Sequence, residues 1–230
     1  MFTSLRPSER LVGAATDNNL DELRLAIADG ADVNFRRTKN TPLLLALQRG
    51  HKEAAQILVD AGADINMGNG FDWYPIHEVA QRGWMDWVEV IASDSMNSID
   101  RRDSSGLSPL AVAIAASHED VALYLVSQKC NVNAPNEQGV TPLMQAVERQ
   151  SASLLSAMMN HRPDPYLKDK SGRSAFDRAE NWPAGLGLFG PRQVEETASI
   201  ASDMPSEAAP EVAQTGVAGI QKRRRPSPAP

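Results

Sequence analysis

The stretch KNTPLLLALQRGH, residues 39–51, places a short apolar run between a polar lead-in and a Gly-His pair. Pro42 suits the first turn of a helix, and the hydroxyl of Thr41 is placed to cap that turn. The pattern predicts a helix over 42–48 and, after a turn at the Gly-His pair, a second helix over 52–61. Apolar side chains of the second helix share one face: Ala55, Ile57, Leu58 and Ala61. The pattern predicts a pair of short helices that bury one side.

The same pattern returns along the chain with a period of 33 or 34 residues. The second residue of the Thr-Pro pair, or of its counterpart, falls at positions 42, 75, 109, 142 and 175. A GADVN segment at 30–34 is echoed by GADIN at 62–66 and by CNVN at 130–133. Five spaced copies indicate a repeat protein, in which each unit buries its apolar face against its neighbours.

The period and the Thr-Pro-Leu opening resemble the ankyrin repeat, over about residues 8–181. The resemblance implies an all-α solenoid of about five to six helix-turn-helix units joined by β-hairpin loops, which fills residues 1–182. The units are expected near 8–35, 36–68, 69–102, 103–135, 136–168 and 169–181.

Two further segments follow the repeats. Residues 183–190 are expected to form a Gly-rich exit, or a cap that lays Leu186, Leu188 and Phe189 over the end of the solenoid. Their GLGLFG sequence matches a dinucleotide-binding pattern, but no strand precedes it and no amphipathic helix follows directly, so we expect no such site. Residues 191–230 have the composition of a disordered tail.

The tail carries a basic cluster near its end: Lys222, Arg223, Arg224 and Arg225. Such a cluster is typical of a nuclear address or of a contact with an acidic surface, and it is equally compatible with a solubilising tail. Ser227 follows it in a sequence similar to a basophilic kinase site. Four adjacent cations add only weak, salt-sensitive phosphate binding, and nothing here specifies bases, so we do not predict nucleic acid as a partner.

The resemblance also implies a structural role for the histidine that follows Thr-Pro-Leu, which here is present only as His77 in the third unit. Other units hold different residues in that slot: Leu44, Ala111, Met144 and, by alignment, Val12 and Asp177. We expect most of these to replace the lost hydrogen bonds by packing. Lys129 and Arg162 occupy a glycine slot, which is unfavourable if the backbone there is left-handed.

The candidate chemistry points away from catalysis. Three of the four histidines, His51, His77 and His118, occupy family turn or capping slots, and no HExxH, paired CxxC, GxSxG or Walker-type motif is present. Cys130, the single cysteine, is expected to be a small buried residue. We therefore predict that the protein is not an enzyme and needs neither a cofactor nor a metal.

Charge and composition narrow the setting. The formal net charge is −6 and 42% of residues are hydrophobic, so the chain buries a core and its whole body does not suit phosphate binding. Charged residues occupy the position of a signal peptide, and no run reaches membrane-spanning length. We expect a cytoplasmic, monomeric protein, or a nuclear one if its source is eukaryotic.

By resemblance, the binding face is the concave side, formed by the hairpin fingers and the first helices. The corresponding residues here are Arg37, Asn40, Arg49, Phe71, Trp73, Gln81, Arg82, Leu107, Gln138, Val140 and Arg149. The third unit has an unusual aromatic finger, Phe71-Asp72-Trp73-Tyr74. Either it is a binding hot spot, or Tyr74 replaces the capping threonine while the other two rings cover a gap left by Asp72.

Two other tryptophans have separate expectations. Trp87 is expected in the core of a second helix, whereas no role is predicted for Trp84 in the turn slot.

The sequence predicts a non-enzymatic module that recognises another protein through its concave face, as an adaptor or an inhibitor. Two alternatives stay open. One is a specialised inhibitor, immunity protein or host-directed effector, and the other is a nuclear regulatory adaptor that uses the basic tail.

Overall fold

The first helices of the second to fifth units start at a proline, and in three of these units the residue before the proline caps the helix. The computed structural model describes residues 6–37, 39–93 and 98–189. In the second, fourth and fifth units a hydroxyl before the proline accepts a bond from the backbone N–H three residues on: Thr41 from Leu44 at 3.2 Å, Ser108 from Ala111 at 3.3 Å and Thr141 from Met144 at 3.3 Å. The closing unit uses Ser174 in the same way.

These signals produce a chain of paired short helices. Within the described residues the first helices of successive units are α1 (Pro7–Asp17), α3 (Pro42–Arg49), α5 (Pro75–Arg82), α7 (Pro109–Ala115), α9 (Pro142–Glu148) and α11 (Ala175–Arg178). The second helices are α2 (Leu20–Ala28), α4 (Lys52–Asp60), α6 (Met85–Ala92), α8 (Glu119–Ser127) and α10 (Ala152–Met159). A final helix, α12 (Pro183–Leu188), follows the closing unit. The predicted all-α repeat solenoid is confirmed.

The helices pack in two layers with one continuous core. Each first helix contacts the next, from α1 through α11, and the core runs through every unit. The slots that lack histidine are apolar and buried at Leu44, Ala111 and Met144, which confirms the expected packing. Trp87 is 5% exposed, as predicted for a core position.

The helices α2, α4, α8 and α10 are each followed by a residue with a left-handed backbone. Gly62 has φ +90°, while Lys129 and Arg162 hold the same conformation at +63° and +50°. The predicted unfavourable backbone at these two residues is confirmed, because a side chain makes this region less stable than glycine does.

The loops between units are narrow fingers, not extended hairpins. Among the described residues the only strand-like pairings are isolated bridges, such as the one between Arg37 and Asn40. The β-hairpin loops expected from the sequence are thus reduced to tight turns, since only a few residues separate the two sides of each finger.

The C-terminal end of the solenoid is covered by α12. Its side chains Leu186 and Leu188, and the following Phe189, pack against the core, and the rings of Phe176 and Phe189 lie 6.1 Å apart. The segment that the sequence described as a Gly-rich exit or cap therefore covers apolar surface that the last full unit would otherwise expose. The predicted tail at 191–230 and its basic cluster at 222–225 lie outside the described residues.

Candidate protein-interaction surface

Four of the fingers are each held by one side chain at the first residue of the finger. In the third to sixth units this residue is Asn69, Asp103, Asn136 and Asp169, and its Oδ1 accepts bonds from the backbone N–H groups two and four positions on, at distances of 2.7 to 3.1 Å. Such side-chain turns fix a loop without a strand. This feature was not predicted from the sequence, although an Asn or Asp recurs at the first position of these fingers with the repeat period.

Adjacent fingers are also joined to each other through their backbones. Ser104 donates to the carbonyl of Phe71, Glu137 to that of Ser105, and Lys170 to that of Gln138, each at 2.9 Å. Because these bonds run from finger to finger, the row of tips from the third to the sixth unit is a fixed surface.

The aromatic finger of the third unit divides into a buried and an exposed part. The indole N–H of Trp73 donates to Oε2 of Glu78 at 3.0 Å, and its ring lies 5.1 Å from that of His77. Trp73 is half-buried, whereas Phe71 at the tip is 65% exposed. Trp73 therefore has intramolecular contacts that support the packing interpretation, and Phe71 remains available to a partner.

Tyr74 occupies the capping position of the same unit and is held by Arg101, at the end of that unit. The guanidinium of Arg101 lies 4.6 Å from the centre of the Tyr74 ring, which is half-buried against the core. Tyr74 makes no side-chain capping bond of the kind that Thr41 makes. The backbone N–H of His77 donates instead to the carbonyl of Tyr74 at 2.9 Å, and the His77 ring in turn accepts from the backbone N–H of Tyr74.

His77 links the third finger to the fourth. Its Nδ1 accepts from the backbone N–H of Tyr74 at 3.2 Å, so the proton of the neutral ring sits on Nε2, which donates to the carbonyls of Arg101 and Leu107 at 3.1 Å each. Burial lowers the pKa of His77. The role implied by the family resemblance, a histidine that ties the finger to the helix, is found here.

In the first four units, a basic side chain from the following unit contacts the last turn of the first helix. His51 Nε2 lies 3.1 Å from the carbonyl of Thr16, and His118 Nε2 lies 3.0 Å from that of Gln81. These contacts confirm the structural use expected for the turn histidines. They also satisfy helix C-terminal carbonyls that have no partner within the helix.

Arg82 and Arg149, which the sequence analysis placed on the binding face, bond to the same kind of helix-end carbonyl in the units that lack the turn histidine. Trp84 and Ser151 stand in the histidine slot of the third and fifth units. There Arg82 donates to the carbonyl of Gln48 at 2.5 Å, and Arg149 to that of Ala115 at 2.5 Å. Histidine and arginine thus alternate along the solenoid as links between neighbouring units.

The Arg82 link has a second support. Its Nε binds the buried carboxylate of Glu78 at 2.6 Å, and its guanidinium lies 5.2 Å from the ring centre of Trp84, which Lys52 approaches at 4.6 Å. Trp84, for which the sequence predicted no role, is therefore a half-buried ring between two cations.

The remaining predicted residues lie along the fingers and first helices. Arg37, Arg49, Gln81 and Gln138 are exposed, and Asn40, Leu107 and Val140 are half-buried. Arg37 and Asn40 close the second finger through paired backbone bonds of 3.2 Å. Only Leu107 joins Trp73 and Gln81 around a common depression, described next.

An apolar groove lies between the third and fourth units, beside the aromatic finger. It has a volume of about 240 Å³ and is lined by Trp73, Gln81, Leu107, Val112, Ala115 and Ala116. Small side chains from α7 form its floor, so a bulky apolar side chain of a ligand would fit between the two fingers.

Two features of the described residues bear on metal and cysteine chemistry. No group of three His, Cys, Asp or Glu side chains among them is arranged for a metal ion. Cys130 is buried, and burial raises the pKa of its thiol to about 12, which suits a structural cysteine and not a nucleophile. No helix in the described part of the chain is long and apolar enough to span a membrane.

Comparison with known proteins matches the same residues to one family. Models for ankyrin repeats in three copies match residues 10–69 and 65–136, and a model for many copies of ankyrin repeats matches 125–179. The chain belongs to the ankyrin-repeat family. Ankyrin repeats generally mediate protein–protein interaction, and proteins of this family are typically interaction modules without enzymatic activity.

Relatives of this ankyrin-repeat protein occur in bacteria and eukaryotes. It is 27% identical over 182 residues to the putative ankyrin repeat protein YahD of Escherichia coli, a match over 75% of this chain and 89% of that protein. It is 32% identical over 150 residues to the mitochondrial disaggregase of Bos taurus, covering 63% of this chain and only 22% of the disaggregase. A probable 26S proteasome regulatory subunit, p28 of Saccharomyces cerevisiae, is 30% identical over 88 residues, covering 38% and 39% of the two chains.

Proposed function

We propose that this protein is a recognition module that binds another protein through the concave face of the solenoid and acts as an adaptor or an inhibitor of that partner. The observation that carries the proposal is Phe71, a large apolar side chain 65% exposed at the tip of a finger whose backbone is fixed on both sides. A large exposed aromatic residue on a rigid support is typical of a binding hot spot.

The mechanism is steric and preorganised. The side-chain turn at Asn69 and the bond from Ser104 to the Phe71 carbonyl hold the tip before any partner arrives. Because little backbone freedom remains to be lost, more of the contact energy appears as affinity. An inhibitor would act by covering the surface of the partner, and an adaptor by holding it beside another protein.

The test is affinity capture from a lysate of source cells with the full chain, followed by measurement of Kd for the captured protein. The informative variant is Phe71→Ala, which removes an exposed ring and no hydrogen bond. Trp73→Ala is less informative because it also removes the bond to Glu78 and the contact with His77.

The matched control is Val90→Ala, since Val90 is 49% exposed on the second helix of the same unit. We expect Phe71→Ala to weaken binding by about 2 kcal/mol, roughly thirtyfold, and Val90→Ala to leave it within about twofold. Equal affinities for wild type and Phe71→Ala, or a loss confined to Val90→Ala, would place the binding surface elsewhere.

A further inference from the structure

The second unit carries a concentration of positive charge on an acidic protein. Between residues 36 and 49 the chain has Arg36, Arg37, Lys39 and Arg49 and no carboxylate, whereas the whole chain has a formal charge of −6. All four side chains are exposed, three on the finger and one at the far end of α3. The unit therefore presents cations at both ends of its first helix.

The positive finger lies directly beside the aromatic one. The ammonium of Lys39 is 5.9 Å from the centre of the Phe71 ring. The stem of Lys39 runs across Gly70, where an added Cβ would lie 2.3 Å from its Cδ, so a larger residue at that position would displace the lysine stem. A cation and an exposed aromatic ring thus share one tip surface.

The apolar groove continues from the same aromatic finger on its other side. Trp73 forms one wall, and its bond to Glu78 fixes the ring. A ligand that crosses the fingers therefore meets first positive charge, then the Phe71 ring, and then a groove of about 240 Å³. The one carboxylate on these two fingers is that of Asp72.

We propose that the partner contributes an acidic segment carrying a bulky apolar side chain, with its carboxylates on the cations of the second finger and the apolar side chain in the groove between Trp73 and Leu107. This inference rests on the proposed function and specifies the chemistry of its partner. Charge complementarity of this kind sets association rate and specificity, while the apolar anchor supplies affinity.

A protein segment fits this surface better than a nucleic acid does. The segment 36–49 has only four cationic residues, and the rest of the chain has a formal net charge of −10 (−6 − 4), so a long phosphate backbone would meet net repulsion beyond this segment. The adjoining groove is also lined by aliphatic residues such as Val112 and Ala115, which suit an aliphatic or aromatic side chain of a peptide.

The test is selection of displayed random-sequence peptides on the full chain. The selection is repeated on the triple variant Arg36→Gln, Arg37→Gln, Lys39→Gln. The matched control is Lys168→Gln, Lys170→Gln, Arg173→Gln, which removes the same charge from three exposed residues of the last finger. Circular dichroism checks that each variant keeps the helicity of the wild type, and a mixed-sequence single-stranded DNA is offered as a competing ligand.

We expect the wild type and the control to select peptides rich in Asp and Glu beside one bulky apolar residue. The second-finger variant should bind those peptides at least about tenfold more weakly at low salt and lose most of the salt dependence. Peptides without acidic enrichment, equal binding by the second-finger variant, failure to select any peptide, or tight DNA binding with no peptide selected would each overturn the proposal.

The affinities of the captured partner for the two variants distinguish failure of the acidic-segment proposal from failure of the proposed function. If the captured partner loses affinity on Phe71→Ala but binds the second-finger variant as tightly as wild type, the recognition module stands and the acidic-segment proposal falls. If neither variant affects binding, both fall.

Discussion

At the scale of single residues, the side chains that look most functional are those with the most structural contacts. His77 is fully buried with both ring nitrogens bonded, and Arg82 reaches a carbonyl and a carboxylate in two different units. Phe71 has the opposite character, with most of its ring in solvent. Exposure, and not residue type alone, separates a candidate contact from a structural one.

The first prediction concerns the protonation of His77. Burial holds its pKa below the ordinary value of 6.5, so the unfolded chain binds the proton more tightly than the folded one. Stability contributed by neutral His77 is therefore complete above about pH 6.5 and is lost as the pH falls below that value towards the folded pKa. Urea unfolding of wild type and His77→Gln at several pH values between about 7.5 and 5.5 measures the difference.

The two proteins should show different pH slopes in this window. As the pH falls, the free energy of unfolding of wild type should decrease by up to about 1.4 kcal/mol per pH unit more than that of the variant. Since the other three histidines are common to both, identical slopes would mean that His77 takes up its proton as easily in the folded state as in the unfolded one.

The second prediction concerns Cys130. Its thiol is 4% exposed with a pKa raised to about 12, so almost none is thiolate at neutral pH. We expect a disulfide reagent such as DTNB to react at least about 100-fold more slowly with native protein than with protein in urea. Rapid stoichiometric reaction of the native protein would contradict a buried structural cysteine.

At the scale of elements, the solenoid is joined by links from one unit to the carbonyl ends of the previous unit's first helix. His51 and His118 make two of these links, and Arg82 and Arg149 make the other two. Each link gives a helix C-terminal carbonyl a hydrogen-bond donor. A positive donor at this end also interacts favourably with the negative end of the helix dipole.

The third prediction compares these arginines with an unlinked one. Arg82→Gln and Arg149→Gln should each lower the free energy of unfolding by about 1–2 kcal/mol, with Arg82 the larger because its loss leaves the Glu78 carboxylate buried without its cation. Arg49→Gln, on an exposed side chain in the equivalent position, should change it by less than about 0.5 kcal/mol. Equal effects of all three in urea denaturation would argue against a specific role for the links.

The sequence predicted the elements well and their connections poorly. Proline and its capping residue mark helix starts through local contacts, so α3 was expected at 42–48 and is found at Pro42–Arg49. The partners of Arg82 and Arg149 are backbone carbonyls about one repeat away. Because every residue has a backbone carbonyl, the sequence does not indicate which one an arginine will contact. The residue types instead favoured a binding role for these two arginines.

At the scale of the whole molecule, a stacked array must cover both ends. The sequence predicted Leu186, Leu188 and Phe189 as a cover, and all three pack against the core, the first two from the short helix α12 and Phe189 from the position directly after it. Contacts with α10 show that the helix lies on the last full unit, where a further repeat would otherwise stack.

The fourth prediction is that removal of α12 destabilises the array. The free energy of unfolding should be about 2–4 kcal/mol lower for a chain ending at residue 181 than for one ending at residue 189, because the shorter chain exposes apolar surface of the last unit. Urea denaturation of the two chains measures the change. Coincident transitions would show that the end of the solenoid needs no cover.

The central claim is that the concave face binds a partner protein, and amide hydrogen exchange with and without the captured partner tests it most directly. We predict slower exchange on binding in the fingers at 69–74 and 103–108 and in the first helices α3 and α5, with little change in α4 and α6. Slower exchange confined to the second helices, with the fingers unaffected, would contradict the account.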